Sequence, residues 1–169
     1  MILNVQSGNV YRHAETFPEM VLLIDSVLRE QRVSISGVGA GDNDLFSFSE
    51  TPHTIHATDW WPDNNLHVSV NLETRYGGMV WYVSPERADQ SSNGVDEYVW
   101  VSSNPSPPSF DPMVLSDPGS PLCYARESTL PLAKIRAALE EFCRTGSGSR
   151  PESISWVKGE INGEILEEG

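Results

Sequence analysis

The sequence predicts an α+β fold in which an antiparallel β-meander packs with one helix near each end of the chain. Two apolar stripes of helical period, at residues 17–28 and 132–143, predict the helices. Between them lie short alternating, β-branched or aromatic runs separated by turn residues, which predict closely connected strands. The length of 169 residues fits one domain spanning residues 1–169.

The first helix is predicted over residues 17–31. Thr16 can cap its N-terminus, and Glu19 stands three residues further on, as a capping box requires. Pro18 is tolerated in a first turn because the N–H that it lacks would have no helical partner there. The apolar stripe consists of Phe17, Met20, Val21, Ile24, Val27 and Leu28. The glycine-rich residues 36–42 then predict a flexible loop.

Four runs in the middle of the chain are predicted as strands. They cover residues 45–49, 66–72, 79–83 and 98–101. The second run alternates apolar and polar residues, which is typical of a half-buried strand. Gly77 and Gly78 are predicted to form the turn into the third run. Because the runs follow one another closely, they are expected to pair as antiparallel neighbours.

Proline dominates the segment that follows these strands. Residues 103–121 contain six of the twelve prolines, and proline removes backbone donors, so an extended loop without regular structure is predicted. Thr129 is then predicted to cap the second helix, with Pro131 in its first turn. The apolar stripe of that helix consists of Leu132, Ile135, Ala138, Leu139, Phe142 and Cys143. Gly146 suits a left-handed C-cap.

After the second helix, one more strand and an acidic tail are predicted. Residues 154–157 alternate as a strand does. Residues 158–169 form the acidic tail, and Asn162-Gly163 can turn it into a short hairpin. Trp81, Trp100 and Trp156 lie in strand-like runs and are expected to pack in the core.

The charge of the chain restricts its partners. Lys and Arg number 11 against 24 Asp and Glu, which gives a net charge of −13. Such a surface repels phosphate backbones and anionic membranes, and it attracts basic partners. No apolar run is long enough to cross a bilayer, and residues 1–6 lack the pattern of a signal peptide. We therefore expect a cytoplasmic protein whose two cysteines, Cys123 and Cys143, are reduced.

No motif for catalysis, cofactor binding or metal binding has the required spacing, so no cofactor and no enzymatic activity are expected. The glycines of residues 37–41 do not match a dinucleotide loop. His53 and His56 are three residues apart, but Pro52 argues against the helix that would align them. A small hydrolytic or ligand-binding domain that uses scattered carboxylates with one of these histidines remains the alternative.

An acidic and aromatic set of residues is the candidate contact surface for a protein partner. Trp and Tyr are enriched where interfaces derive most of their binding energy, and nearby carboxylates can pair with basic groups. The candidate residues are Asp42, Asp44, Asp59, Trp60, Trp61, Asp63, Asp96, Glu97 and Tyr98. Two other interpretations stay open: Trp60 and Trp61 could be core residues, or the contact could lie on the acidic tail.

The C-terminal part of the chain resembles a known family. Residues 128–142 read STLPLAKIRAALEEF, and Thr145-Gly146, Arg150-Pro151 and Trp156 follow. This pattern resembles the end of immunity protein family 1 of bacterial polymorphic toxin systems. Residues 65–70 and 78–82 also look like the paired central strands of that family.

The resemblance implies a cytosolic antitoxin that binds a cognate toxin domain. The toxins associated with the family are often deaminases that act on nucleic-acid bases, so the implied partner is a basic, zinc-dependent deaminase. A nuclease toxin is the alternative within the same class of function. An acidic inhibitor that fills the positive substrate cleft of such a toxin needs no catalytic group of its own.

Overall fold

The computed structural model describes residues 1–30, 44–117, 119–120 and 122–167, and it has the predicted α+β architecture. The strands are β1 (Ile2–Ser7), β2 (Val10–Ala14), β3 (Asp44–Ser49), β4 (Asn64–Asn71), β5 (Tyr76–Val83), β6 (Trp100–Ser103), β7 (Leu115–Asp117), β8 (Leu122–Cys123), β9 (Leu130–Pro131) and β10 (Ser155–Lys158). The helices are α1 (Phe17–Arg29), α2 (Pro85–Gln90) and α3 (Leu132–Thr145), with a 3₁₀ turn at Arg126–Ser128.

Eight of these strands form one antiparallel sheet. The order across it is β10-β6-β5-β4-β3-β1-β2, and β9 pairs with β5 beyond the end of β6. The predicted meander is therefore confirmed in the run from β3 to β6, where each strand pairs with the next one along the chain. Strands β7 and β8 form a separate two-stranded ribbon.

The N-terminal hairpin of β1 and β2 was not predicted from the sequence. Strand β1 pairs with β2 on one side and with β3 on the other, so it lies inside the sheet. Polar Asn4 is buried there, because its side-chain amide donates to Ser49 Oγ at 2.8 Å and its carbonyl oxygen accepts from the backbone N–H of His53 at 2.9 Å. A buried polar residue of this kind weakens the alternation by which a strand is recognised.

Helices α1 and α3 cover one face of the sheet. Thr16 and Glu19 form the predicted capping box at the start of α1. The apolar stripe of α3 is buried, with the ring of Phe142 5.3 Å from that of Phe48 in β3. Arg136 of α3 pairs with Asp25 of α1, which ties the two helices together.

The predicted ends of α3 are half right. Gly146 ends the helix in the left-handed region, at φ +67°, as predicted. The prediction that Thr129 caps its start is wrong, because the N-cap is Pro131 and no side chain caps that end. The Thr129 hydroxyl instead donates to the carbonyl oxygen of Arg126, at 2.8 Å, and closes the 3₁₀ turn before β9.

Three further predictions are corrected by the sheet. Gly77 and Gly78 lie inside β5, and the chain turns before them, where Arg75 has a φ of +63°. Tyr98 precedes β6, which begins at Trp100. The proline-rich segment, predicted to be a loop without regular structure, contains β7, because Leu115–Asp117 pairs with β8. These three residues are not prolines, so each keeps the backbone N–H that a proline lacks.

The face of the sheet away from α1 and α3 has a smaller apolar cluster of its own. Its buried members are Val80, Val101, Val114 and Tyr124. The chain after β10 turns back as the predicted hairpin, because the N–H of Glu160 donates to the Glu164 carbonyl at 2.8 Å and Gly163 has a φ of +89°. Trp81 is fully buried, and Trp100 and Trp156 pack against the main core, as expected.

Candidate functional site: an acidic and aromatic groove

A groove of about 870 Å³ opens at the end of the sheet where β5 runs into α2. Its apolar lining comes from several parts of the chain and consists of Trp61, Pro62, Tyr82, Val83, Pro85, Ala88, Tyr98, Val99 and Ile161. Its charged lining consists of Asp89, Asp96 and Glu97, and its neutral polar lining of Asn65, Ser84 and Ser91. We refer to this feature as the binding groove.

The acidic wall is formed by α2 and the turn that follows it. Ser84 caps α2 by accepting from the N–H of Arg87 at 3.3 Å. In the turn, Asn93 Oδ1 accepts from the N–H of Val95 at 3.1 Å, and the Val95 carbonyl accepts from the indole N–H of Trp100 at 2.7 Å. These bonds fix the backbone that carries Asp96, Glu97 and Tyr98.

The lining also includes Trp61, whose ring packs on His53. His53 is buried, and its ring lies 5.1 Å from that of Trp60 and 4.8 Å from that of Trp61. Its Nε2 also forms a 3.2 Å hydrogen bond with the Trp60 carbonyl. Both rings therefore pack on His53, but Trp60 is half-buried whereas Trp61 is 65% exposed. Trp61 keeps most of its surface open to solvent.

The electrostatics of the groove are one-sided. All three charged residues of its lining are acidic, and no lysine or arginine is found in the described part of that lining. Cations do lie beside it, since Lys158 Nζ stands 3.7 Å from the centre of the Tyr98 ring and Arg150, whose guanidinium lies 4.4 Å from the centre of the Trp100 ring, interacts with the charge of Asp96. Arg87 of α2 pairs with Asp63 at 3.1 Å, which ties α2 to the segment that carries Trp61.

The structure brings four of the nine candidate contact residues together. Trp61, Asp96, Glu97 and Tyr98 all line the binding groove, although 34 or more residues of sequence separate the first from the others. The exposed Asp59 and Asp63 flank Trp61 in the chain.

Two other candidates do not join this group. Asp44 is buried at the start of β3, where it accepts from the Ser7 hydroxyl, so it is not part of an exposed surface. Asp42 lies outside the described residues. Sequence reasoning missed Asp89, because α2 is only six residues long, and it missed Ile161, whose position depends on how the hairpin folds back.

Burial favours the neutral form of His67 and of Cys143. Burial lowers the pKa of His67 to about 4, and this ring stacks on Tyr82 beside the binding groove. Burial, assisted by the charge of Glu140, raises the pKa of the Cys143 thiol to about 12. Cys143 is a buried free thiol. Within the described residues, no three His, Cys, Asp or Glu side chains are grouped so that they could hold a metal ion.

Residues 14–158 match the family model described as Immunity protein Imm1. The chain belongs to the Imm1 family. As an Imm1 member it is an immunity protein, and its partner is a cognate toxin. No curated protein and no solved structure gives a significant match to the chain.

The Imm1 match covers most of the binding groove. Trp61, α2 and Tyr98 lie inside the matched residues, whereas Ile161 lies beyond their end at Lys158. None of the helices in the described residues is both long and apolar enough to span a bilayer.

Proposed function

We propose that this Imm1 protein neutralises its toxin by placing the binding groove against the toxin's basic substrate cleft, and that the toxin is a zinc-dependent deaminase of nucleic-acid bases. The observation that carries this proposal is the groove itself. It combines exposed aromatic side chains with a wall whose charges are all acidic. A cytoplasmic location follows from the same proposal, because the inhibitor must meet the toxin where the nucleic acid lies.

The chemistry of the groove suits a basic protein partner. Trp61 and Tyr98 are 65% and 41% exposed, so each has apolar area left to bury in a complex. Aromatic anchors of this kind contribute most to affinity when they reach the centre of an interface. Asp89, Asp96 and Glu97 can then pair with lysines and arginines that a nucleic-acid cleft must contain.

The net charge extends this argument beyond the contact itself. At −13, the whole molecule attracts a positively charged cleft from a distance, which raises the rate of encounter. It also repels the nucleic acid that competes for the same cleft. Occupation of the cleft is enough to stop the toxin, so the mechanism asks for no catalytic residue in the immunity protein.

The direct test is inhibition of the purified toxin domain encoded beside the immunity gene. We expect the immunity protein to abolish deamination of a single-stranded substrate at equimolar concentration. The variant Trp61→Ala/Asp89→Lys/Glu97→Lys changes exposed residues, so it should melt as the parent chain does. It should bind the toxin at least tenfold more weakly, which corresponds to about 1.4 kcal/mol.

A matched control separates the groove from general charge effects. The variant Leu22→Ala/Glu50→Lys/Glu73→Lys also removes one exposed apolar side chain and two exposed carboxylates, but none of these residues lines the binding groove. It should inhibit like the parent chain. Equal losses in both variants would reject the groove as the contact surface. If the toxin domain alone cleaves its nucleic-acid substrate and does not deaminate it, the deaminase assignment is rejected in favour of a nuclease.

A further inference from the structure

The hairpin that follows β10 is a packed part of the fold. The N–H of Leu166 donates to the Lys158 carbonyl at 3.0 Å, and the N–H of Gly159 donates to the Val99 carbonyl at 2.9 Å. Gly163 lies against the β7–β8 side of the molecule, where an added Cβ would stand 2.6 Å from Ser116 Cβ. Hydrogen bonds and close packing therefore fix residues 159–166 against the sheet.

This hairpin contributes directly to the binding groove. Ile161 is 50% exposed and lines the same cavity as Trp61 and Tyr98. The acidic tail and the segment around Trp61, which the sequence offered as alternative contact sites, thus meet in one groove. The tail contributes to the described lining through the apolar side chain of Ile161, and none of its carboxylates is part of that lining.

We propose that residues 159–166 belong to the recognition surface, and that the groove they complete receives a lysine or arginine side chain of the partner. The aliphatic stem of that side chain packs on Trp61, Tyr98 and Ile161, and its charged head meets the wall formed by Asp89, Asp96 and Glu97. The identification of the partner as the toxin rests on the proposed function. The evidence for the cation subsite is the lining of the groove alone.

The lining selects an amphipathic cation over other occupants. An anion would face three carboxylates without a basic residue in the described lining, and a purely apolar segment would desolvate carboxylates of which only Asp96 interacts with a neighbouring cation, Arg150. Long basic side chains combine an apolar stem with a charged head, which fits both halves of the groove. Lys158, whose ammonium lies over the Tyr98 ring, shows that this aromatic ring already accommodates a cation on the chain itself.

Ile161 gives this chain a groove residue beyond the family match. The Imm1 match ends at Lys158, so Ile161 lies outside the part of the chain that the family model describes. A wall supplied from outside that region gives this chain a means of distinguishing its own partner, because a different side chain at position 161 would change what the groove accepts.

A small probe tests the subsite without the toxin. The isotope-labelled protein is titrated with N-acetyl-arginine amide and followed by heteronuclear NMR. We expect millimolar binding, which is typical of one side chain acting alone, with shifts confined to the Trp61 indole and to the backbone around Tyr98 and Ile161. The citrulline analogue has nearly the same shape without the charge, and it should shift these signals at least tenfold less.

The hairpin's part is tested with a matched pair of variants. Ile161→Ala should weaken binding of the arginine probe by about threefold, because apolar area against its stem is lost. Ile165→Ala removes the same side chain from the same hairpin, but that residue does not line the groove, so binding should be unchanged. Thermal melts of both variants check that the fold is retained.

Each outcome decides the proposal. Equal shifts with arginine and citrulline, shifts elsewhere on the molecule, or no shifts at all would overturn the cation subsite. Equal effects of the two isoleucine variants would remove the hairpin from it. If the probe binds as described but the groove variants still inhibit the toxin, the subsite stands and the proposed function of the groove fails.

Discussion

The ring of Tyr124 lies directly against Gly78 of β5. A Cβ built on Gly78 would stand 2.6 Å from both Cδ2 and Cε2 of that ring, closer than any ordinary carbon–carbon contact. Tyr124 is buried and belongs to the apolar cluster on the face of the sheet away from α1 and α3. The glycine therefore serves close packing of a ring on a strand, and this is why it does not mark a turn.

This relationship predicts the effect of a single methyl group. Gly78→Ala should destabilise the fold by about 1–3 kcal/mol, because either the Tyr124 ring or the strand must shift. Chemical denaturation measures the loss. Gly94→Ala is the control, since nothing lies within 4 Å of an added Cβ there. A Gly78→Ala variant as stable as the parent chain would show that Tyr124 does not pack as described.

The fold could be predicted from the sequence wherever local chemistry and burial agree. In α1 and α3 a periodic apolar face occurs together with a local end signal. The capping box at Thr16, the stripe of α3 and the cap at Gly146 are all present in the structure. The prediction failed where distant contacts decide the conformation. Gly78 faces Tyr124, which is 46 positions further along the chain, and no pattern around the glycine itself reveals that neighbour.

In the candidate site, too, local sequence indicated individual residues, whereas distant contacts decide how they are arranged. Composition indicated Trp61, Glu97 and Tyr98, because exposed aromatic residues next to acids are typical of contact surfaces. That these residues line one groove follows from the pairing of β4, β5 and β6, which the sequence predicted only as a meander. Ile161 joins them because the chain reverses after β10, and the residue alone carries no sign of this.

The stripe of α3 should contribute strongly to stability. Leu139 is fully buried, so Leu139→Ala should lower the free energy of unfolding by about 2–5 kcal/mol, through lost burial and the cavity left behind. Leu22→Ala is the same substitution on α1, at a side chain that is 67% exposed, and it should change stability by less than about 0.5 kcal/mol. Thermal or chemical melts of the two variants give the comparison. Similar losses would mean that α3 is not packed on the sheet.

His67 predicts a loss of stability in mild acid. Burial lowers its pKa from 6.5 to about 4 in the folded chain, so the unfolded chain binds a proton first as the pH falls. The free energy of unfolding should therefore decrease between pH 6.5 and pH 4, by about 2–3 kcal/mol from this group, and its contribution should be constant above that window. NMR titration of the His67 ring measures its pKa directly.

A variant isolates this contribution from those of the carboxylates. His67→Phe keeps a ring to stack on Tyr82 but removes the titrating group. As the pH falls from 6.5 to 4, the free energy of unfolding should decrease more for the parent chain than for this variant. A difference that stays constant over that range, or an NMR titration near pH 6.5, would contradict the assignment of the slope to His67.

The acidic residues around the groove and the aromatic residues inside it should act on different steps of toxin binding. Asp59 and Asp63 are exposed beside Trp61, and charges at the rim of an interface act mainly on the rate of encounter. Asp59→Lys/Asp63→Lys should therefore slow association several-fold and make it less sensitive to salt, with little change in dissociation. Because Asp63 also pairs with Arg87, a thermal melt must show that the α2 segment is retained.

Trp61→Ala should have the opposite kinetic signature. Trp61 contributes apolar area that is buried only after the proteins meet, so its loss should speed dissociation at least tenfold and leave association nearly unchanged. Surface-immobilised toxin, measured at about 0.05 M and 0.5 M salt, separates the two rates, since the Debye length falls from above 10 Å to below 8 Å over that range. If the two variants alter the same rate constant to the same extent, the division between a steering rim and an aromatic anchor is wrong, and the groove binds its partner as a uniform surface.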